Sequence, residues 1–127
     1  MRRALLLLVV LISGGAAAHA QAPKGTPIQH EGILTWTASA GASGYNAYRC
    51  SGTCTLTTGT FAVLNPAPFT PTTYTDTAVV QGTTYSWCVT SLATLSTGPF
   101  ETECSNIVTG TIPKDPTIPP QISLSVQ

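Results

Sequence analysis

The sequence predicts an all-β protein, an antiparallel β-sandwich of short strands. Short runs rich in Thr, Val, Tyr and Trp alternate between apolar and polar side chains, as strands with one buried face do. Clusters of Gly, Pro, Asn and Ser separate these runs at regular spacing. Beyond residue 20 no stretch has a helical hydrophobic period, which favours the sandwich over mixed folds.

The strands are predicted one run at a time. The first confident strand, 30–37, contains the alternating segment Ile33-Leu34-Thr35-Trp36-Thr37. Run 83–92 has the strongest strand composition, with Tyr85 and Trp87 on one face and Cys88 on the other. Small residues make 38–44 a loop, and 93–100 is predicted to be a second loop. The remaining predicted strands are 45–50, 55–64, 72–76 and 103–112.

Residues 1–20 are typical of an export signal. Arg2 and Arg3 give a charged start, 4–12 is apolar, and Ala18-His19-Ala20 is a small-x-small site for cleavage between Ala20 and Gln21. The apolar run is much shorter than the ~20 residues of a membrane-spanning helix. We therefore expect a secreted protein, extracellular or periplasmic, without a membrane span after cleavage. A lead-in at 21–29 then precedes one domain at 30–113.

Charge argues against nucleic acid as a partner. Beyond Ala20 the chain keeps three basic and five acidic side chains, a formal charge of −2. Nucleic-acid binding depends on clustered Lys and Arg that neutralise phosphates, and no such cluster is present in the sequence. We expect no nucleic-acid partner.

Five segments together resemble a bacterial fibronectin type III domain, over about 30–113. They are 34–39 (LTWTAS), 44–49 (GYNAYR), 74–77 (YTDT), 82–85 (GTTY) and 104–106 (CSN). The resemblance implies an immunoglobulin-like sandwich of seven strands with Trp36 buried and Tyr85 as the tyrosine-corner residue, whose hydroxyl returns to the backbone near the preceding turn. The chain departs from the family in its cysteines and in lacking a clear first strand within 21–29.

Four cysteines follow the signal: Cys50, Cys54, Cys88 and Cys104. An even number in an exported chain favours two disulfides over a zinc site, whose ligand spacing is not met. Three connectivities are possible, and we favour Cys50 with Cys54 and Cys88 with Cys104. A hairpin around 93–99 would place Cys88 opposite Cys104, provided that a bulge between Cys104 and Val108 corrects the facing of the side chains.

No group of residues predicts catalysis, a cofactor or a metal. His30 has no nucleophile and orienting acid near it in a catalytic pattern, so we interpret it as a polar residue that opens a strand. Asp76 and Glu103 are conceivable as an acid–base pair, but Asp76 is better explained as a turn former and Glu103 as a residue beside a loop. We expect a protein that is not an enzyme.

Recognition of a glycan or a protein is a second hypothesis. Loops 38–44 and 93–100 are expected at one end of the sandwich, where recognition loops lie in such folds. Tyr48 faces away from Tyr45 and is either an exposed ring for a ligand or a cross-strand packing residue, the latter being preferred. The Arg-Gly-Asp loop of some fibronectin type III domains does not occur.

The tail, 114–127, combines a Pro-rich linker with an extended segment in which Ile122, Leu124 and Val126 alternate with serines. Addition to the sheet edge of another copy is one interpretation. A vestigial or self-paired tail is the preferred one. The sequence thus favours a secreted or surface-displayed structural or adhesive module of the extracellular space or cell envelope, and the alternative is a small binding protein.

Overall fold

The structure, a computed structural model, describes residues 8–13 and 28–117. Within these residues eight strands form two antiparallel sheets. The first sheet has the order β1-β2-β5, and the second has β4-β3-β6, with β7 and β8 both pairing with β6. The predicted all-β sandwich is confirmed. The strands are β1 Leu8–Ser13, β2 Glu31–Trp36, β3 Gly44–Ser51, β4 Ala62–Val63, β5 Thr73–Asp76, β6 Thr84–Leu95, β7 Gly98–Glu101 and β8 Val108–Thr111.

The first strand, β1, lies in the segment that the sequence analysis assigns to the export signal. It pairs antiparallel with β2 over its whole length, from Leu8 opposite Trp36 to Ser13 opposite Glu31. The run LVVLIS suits a strand because branched apolar side chains pack well on a pleated surface. These residues therefore supply the first strand of the sandwich, which the sequence analysis does not find within 21–29. The predicted cleavage site between Ala20 and Gln21 lies outside the described residues.

The core is made where the two sheets face each other. Trp36 packs edge-on against Tyr45, with ring centroids 5.4 Å apart, and Tyr85 packs against Trp87 at 5.7 Å. Such pairs are worth about 0.5–1.5 kcal/mol beyond the area that they bury. The Tyr85 hydroxyl oxygen accepts a hydrogen bond from the Val80 backbone N–H at 3.2 Å, across the turn that precedes β6.

The central strand β6 is buried on both faces. Tyr85, Trp87 and Val89 face the other sheet, while Ser86 and Cys88 on the opposite face are also fully buried. The loop after β3 covers this outer face, because the Cys54 N–H donates to Ser86 Oγ at 2.9 Å and Ser86 Oγ donates to the Gly52 carbonyl at 2.8 Å.

Three predicted elements differ from the structure. The strand expected over 55–64 is reduced to β4, because the Thr55 hydroxyl binds the backbone N–H groups of Thr57 and Thr58 and folds this segment into a turn. The loop expected over 93–100 was wrong. It is a tight hairpin in which β6 continues to Leu95 and pairs with β7, and Gly98 turns the chain at φ 122°.

The strand expected over 103–112 is reduced to β8. Before it, the Ser105 N–H donates to the Val89 carbonyl, while the Ser105 hydroxyl accepts from the Val89 N–H, so one residue supplies both bonds. The outer chain has two more residues than β6 between the pairs Leu92↔Glu101 and Trp87↔Val108. The bulge is therefore wider than expected and begins before Cys104.

The structure contains two disulfides, Cys50–Cys54 and Cys88–Cys104, with Cα atoms 6.4 and 5.6 Å apart. The second crosses the widened bulge and ties the irregular segment to β6. The first lies under the Thr-rich turn, where a Cβ on Gly59 would come within 2.7 Å of both sulfur atoms. Glycine at φ 85° lets the turn close onto this disulfide.

An ion pair between the buried Asp76 and the partly exposed Arg49 joins the two sheets. Arg49 Nη1 on β3 donates to both carboxylate oxygens of Asp76 on β5, at 2.9 Å each. Trp87 Nε1 on β6 donates to the same carboxylate at 3.0 Å, and the Ala78 N–H donates at 3.1 Å. The Arg49 guanidinium also lies 4.9 Å from the centre of the Tyr85 ring. Asp76 thus forms the expected turn and, in addition, a bridge between the sheets.

We expect Asp76→Ala to lower the free energy of unfolding by about 3 kcal/mol, because it removes the carboxylate that accepts from Arg49 and Trp87. The loss is at the low end for a buried pair, since Arg49 is partly exposed and keeps its bond to the Ala78 carbonyl. The matched control is Glu103→Ala, which removes an exposed carboxylate and should change stability by less than about 0.5 kcal/mol. Urea unfolding followed by tryptophan fluorescence measures both. Equal midpoints for the two variants would show that the bridge contributes nothing.

Candidate functional site

The edge of the first sheet carries a groove that β1 occupies. This groove, called the β1 groove below, lies between β2 and β8 and is lined by Gly32, Leu34, Trp36 and Gly110. Leu8 enters it with only 2% of its surface exposed, and Val10 and Ile12 pack against the same core. Val9 and Leu11 point outward and are 46% and 58% exposed. The groove therefore takes every second side chain of the strand.

Two features fit the groove to an extended strand. The Asn106 side chain accepts from the Leu8 N–H at 2.8 Å and donates to the Leu8 carbonyl at 3.2 Å, so one amide satisfies both backbone groups. At the other end, a methyl group on Gly110 would overlap the Ile12 side chain. The missing side chain at Gly110 is what makes room for an apolar residue there.

A polar cluster lies on the outer face of the second sheet. Thr90 and Tyr48 donate to the Glu101 carboxylate at 2.6 Å each, and Asn46 donates at 3.2 Å. The hydroxyls of Thr90 and Tyr48 lower the pKa of Glu101, because they stabilise its ionised form. The bond to Glu101, with a contribution from burial, raises the pKa of Tyr48.

His30, Asp76 and Glu103 do not form a common site. His30 is buried, and its Nε2 lies 2.7 Å from Asp115 Oδ1, so it holds the start of the tail and is more than a polar residue that opens a strand. Asp76 is in the core with Arg49, whereas Glu103 is exposed on the bulge.

Neither a metal cluster nor a membrane-spanning helix is found in the described part of the chain. Residues 8–13 and 28–117 contain no group of three His, Cys, Asp or Glu side chains placed to hold a metal, and no helix long and apolar enough to span a bilayer. A shallow cavity of about 220 Å³ is lined by Val9, Thr35, Trp36 and Thr37. It is smaller than the ~300 Å³ at which ordinary ligand pockets begin.

Comparison with solved structures gives a similar protein, a Fn3-like protein from Clostridium thermocellum. It is 33% identical in sequence with a TM-score of 0.51, and the match covers 68% of this chain and 81% of that chain. The chain belongs to the fibronectin type III-like family. The resemblance inferred from the five segments is thus confirmed. No protein-family model and no curated protein matches the chain.

Within this fibronectin type III-like domain, the sequence alone does not predict the residues that form the β1 groove and the polar cluster around Glu101. Asn106 carries a signal only as part of the family-like segment 104–106, and no specific sequence pattern marks Gly110 or Glu101. The signal for Gly110 is weak, since a glycine inside a strand indicates only close approach of another group. The tail residues Ile122, Leu124 and Val126 lie outside the described residues.

We expect both Thr90→Val and Tyr48→Phe to raise the pKa of Glu101 towards its ordinary value, because each removes one hydroxyl donor. In the parent domain the pKa is lower in the folded than in the unfolded state. The stabilisation is therefore present above the unfolded-state pKa, about 4.3, and is lost as pH falls through the folded-state pKa. Carbon-13 NMR titration of the Glu101 carboxyl measures the pKa. Tyr74→Phe on the opposite sheet is the control, and an unchanged value in both test variants would exclude the hydroxyls as the cause.

Proposed function

We propose that this fibronectin type III-like domain is exported and acts outside the cytoplasm as a non-catalytic structural or adhesive module of the extracellular space or cell envelope. The observation that carries this proposal is the pair of disulfides, Cys50–Cys54 and Cys88–Cys104, in one small sandwich. Disulfides form and persist in oxidising compartments, and small exported domains use them to support a limited core.

The export-signal pattern of residues 1–20 supports the same location. Arg2 and Arg3, the apolar run and the small residues Ala18 and Ala20 occur in the order that a signal requires. The strand β1 belongs to the chain before this processing. Residues 21–127 are the proposed working form, and they contain both disulfides and the polar cluster around Glu101.

A second candidate function is recognition of a glycan or a protein, the polar cluster being the specific observation that favours it. Asn46, Tyr48 and Glu101 present amide, phenol and carboxylate groups on one sheet face, and the buried Thr90 hydroxyl holds Glu101 from below. Saturable binding by the monomer that is lost in Glu101→Gln would favour this function. Unchanged binding in that variant would direct attention to the end loop at 38–44.

Expression of the full chain in a bacterial host tests the export. We expect the protein outside the cytoplasm, starting at Gln21 and carrying two disulfides, because signal peptidase cuts after a small-x-small site. Cell fractionation measures the location, and intact mass with N-terminal sequencing measures the starting residue and the two disulfides. In the control, Ala18→Leu with Ala20→Leu, the protein should retain residues 1–20. A cytoplasmic product that starts at Met1 with reduced cysteines would contradict the proposed function.

A further inference from the structure

The β1 groove is filled in the uncleaved chain by residues that the proposed cleavage removes. Loss of residues 1–20 takes away the strand paired with β2 and uncovers Leu34, Trp36 and the groove beside Gly110. In the described chain Leu34 is fully buried and Trp36 is 7% exposed. An open strand edge beside an apolar groove is a site for strand addition.

The shape of the β1 groove sets the length, direction and side-chain pattern of the strand that can occupy it. It takes a strand of six residues, antiparallel to β2, with apolar side chains at the first, third and fifth positions. The second and fourth positions face solvent, as the exposure of Val9 and Leu11 indicates. The occupant therefore needs strict alternation, and polar residues suit its outer face.

Only one segment of the proposed mature chain outside the described residues has this pattern. In 122–127, ISLSVQ, the apolar residues Ile122, Leu124 and Val126 alternate with Ser123 and Ser125. Aligned with LVVLIS of β1, the three apolar positions coincide, and Gln127 takes the place of Ser13. The lead-in at 21–27 is broken by prolines and a glycine and has no such alternation.

Geometry favours a tail from another copy over the tail of the same chain. Asp115 is fixed beside the start of β2, where its side chain binds His30 and its N–H donates to Gln81 Oε1 at 2.7 Å. An antiparallel strand must begin at the opposite end of β2, about 17 Å away. The Pro-rich linker 116–121 spans roughly 20 Å when extended. Reaching that end consumes the linker and leaves no residues to reverse direction.

We propose that residues 122–127 of a second copy occupy the β1 groove of the processed protein, with Ile122 opposite Trp36 and Val126 against Gly110; the proposal rests on the export and cleavage proposed above. Leu124 then replaces Val10 opposite Leu34. Each copy donates one strand and accepts one, so the exchange either closes on itself, the smallest case being a dimer that swaps tails, or continues as an open chain of domains. Such assembly gives the structural role a physical basis.

Sedimentation velocity of the processed, oxidised protein tests the proposal across a wide concentration range. We expect assembly that increases with concentration. Leu124→Lys should raise the dissociation constant by roughly 100-fold or more, because it places an unpaired charge in an apolar groove. The matched control is Ser125→Lys, which adds the same charge on the solvent face and should assemble as the parent does. Equal assembly of the two lysine variants would overturn the proposal.

A variant of the groove tests the acceptor side. Gly110→Leu fills the space of the Ile12 side chain while leaving the tail intact, and it should be monomeric. The near-UV circular dichroism of Trp36 and Trp87 reports whether each variant keeps its fold. Mixing Gly110→Leu with Leu124→Lys should restore a complex of one chain of each, since one keeps a working tail and the other a working groove. Two folded variants that do not associate would overturn exchange between copies.

Intact mass distinguishes the two possible failures. A product that still carries residues 1–20 overturns the cleavage on which both proposals depend. A parent protein that starts at Gln21, keeps both disulfides and stays monomeric at every concentration overturns strand exchange alone and leaves the proposed export in place.

Discussion

The arrangement of the two sheets depends on the hydrogen bonds that the buried Asp76 carboxylate accepts. A buried carboxylate is costly unless donors surround it, and Arg49, Trp87 and the Ala78 N–H supply them. Because Asp76 belongs to one sheet and Arg49 and Trp87 to the other, these bonds fix how the sheets lie on each other. They also fix Trp87, whose ring lies 3.1 Å from where a Cβ on Gly32 would be. The inner wall of the β1 groove therefore depends on this bridge.

The local sequence pattern predicted those strands in which buried and exposed side chains alternate. β2 and β3 follow the predicted bounds within a residue or two, because Trp36 and Tyr45 belong to runs with a clear period of two. The predictions failed where local residue preferences compete with pairing to distant strands. At 93–100 small and polar residues favoured a loop, but pairing of β7 with the extended β6 prevails. At 55–64 threonine hydroxyls compete with strand pairing for backbone donors, which composition does not reveal.

The candidate site was less predictable than the fold, because its residues are distant in sequence. Asn106 and Leu8 are 98 residues apart, and no spacing rule links them. The Glu101 cluster combines side chains from three strands on one sheet face. In the sequence each of them is indistinguishable from an ordinary surface residue. The hairpin that was expected to place Cys88 opposite Cys104 is present, but the widened bulge shifts the pairing register before Cys104. The alternation at 122–126 was visible in the sequence, whereas the groove that suits it was not.

Asn106 holds the strand in the groove through main-chain atoms, the N–H and carbonyl of Leu8, and so makes no demand on the side chain that it faces. Where recognition rests on backbone and alternation, Ile, Leu and Val become largely interchangeable at the inward positions. Selection then preserves a pattern and not an identity. Homologous occupants of this groove can drift apart until pairwise sequence comparison no longer relates them, although they continue to fit the same surface.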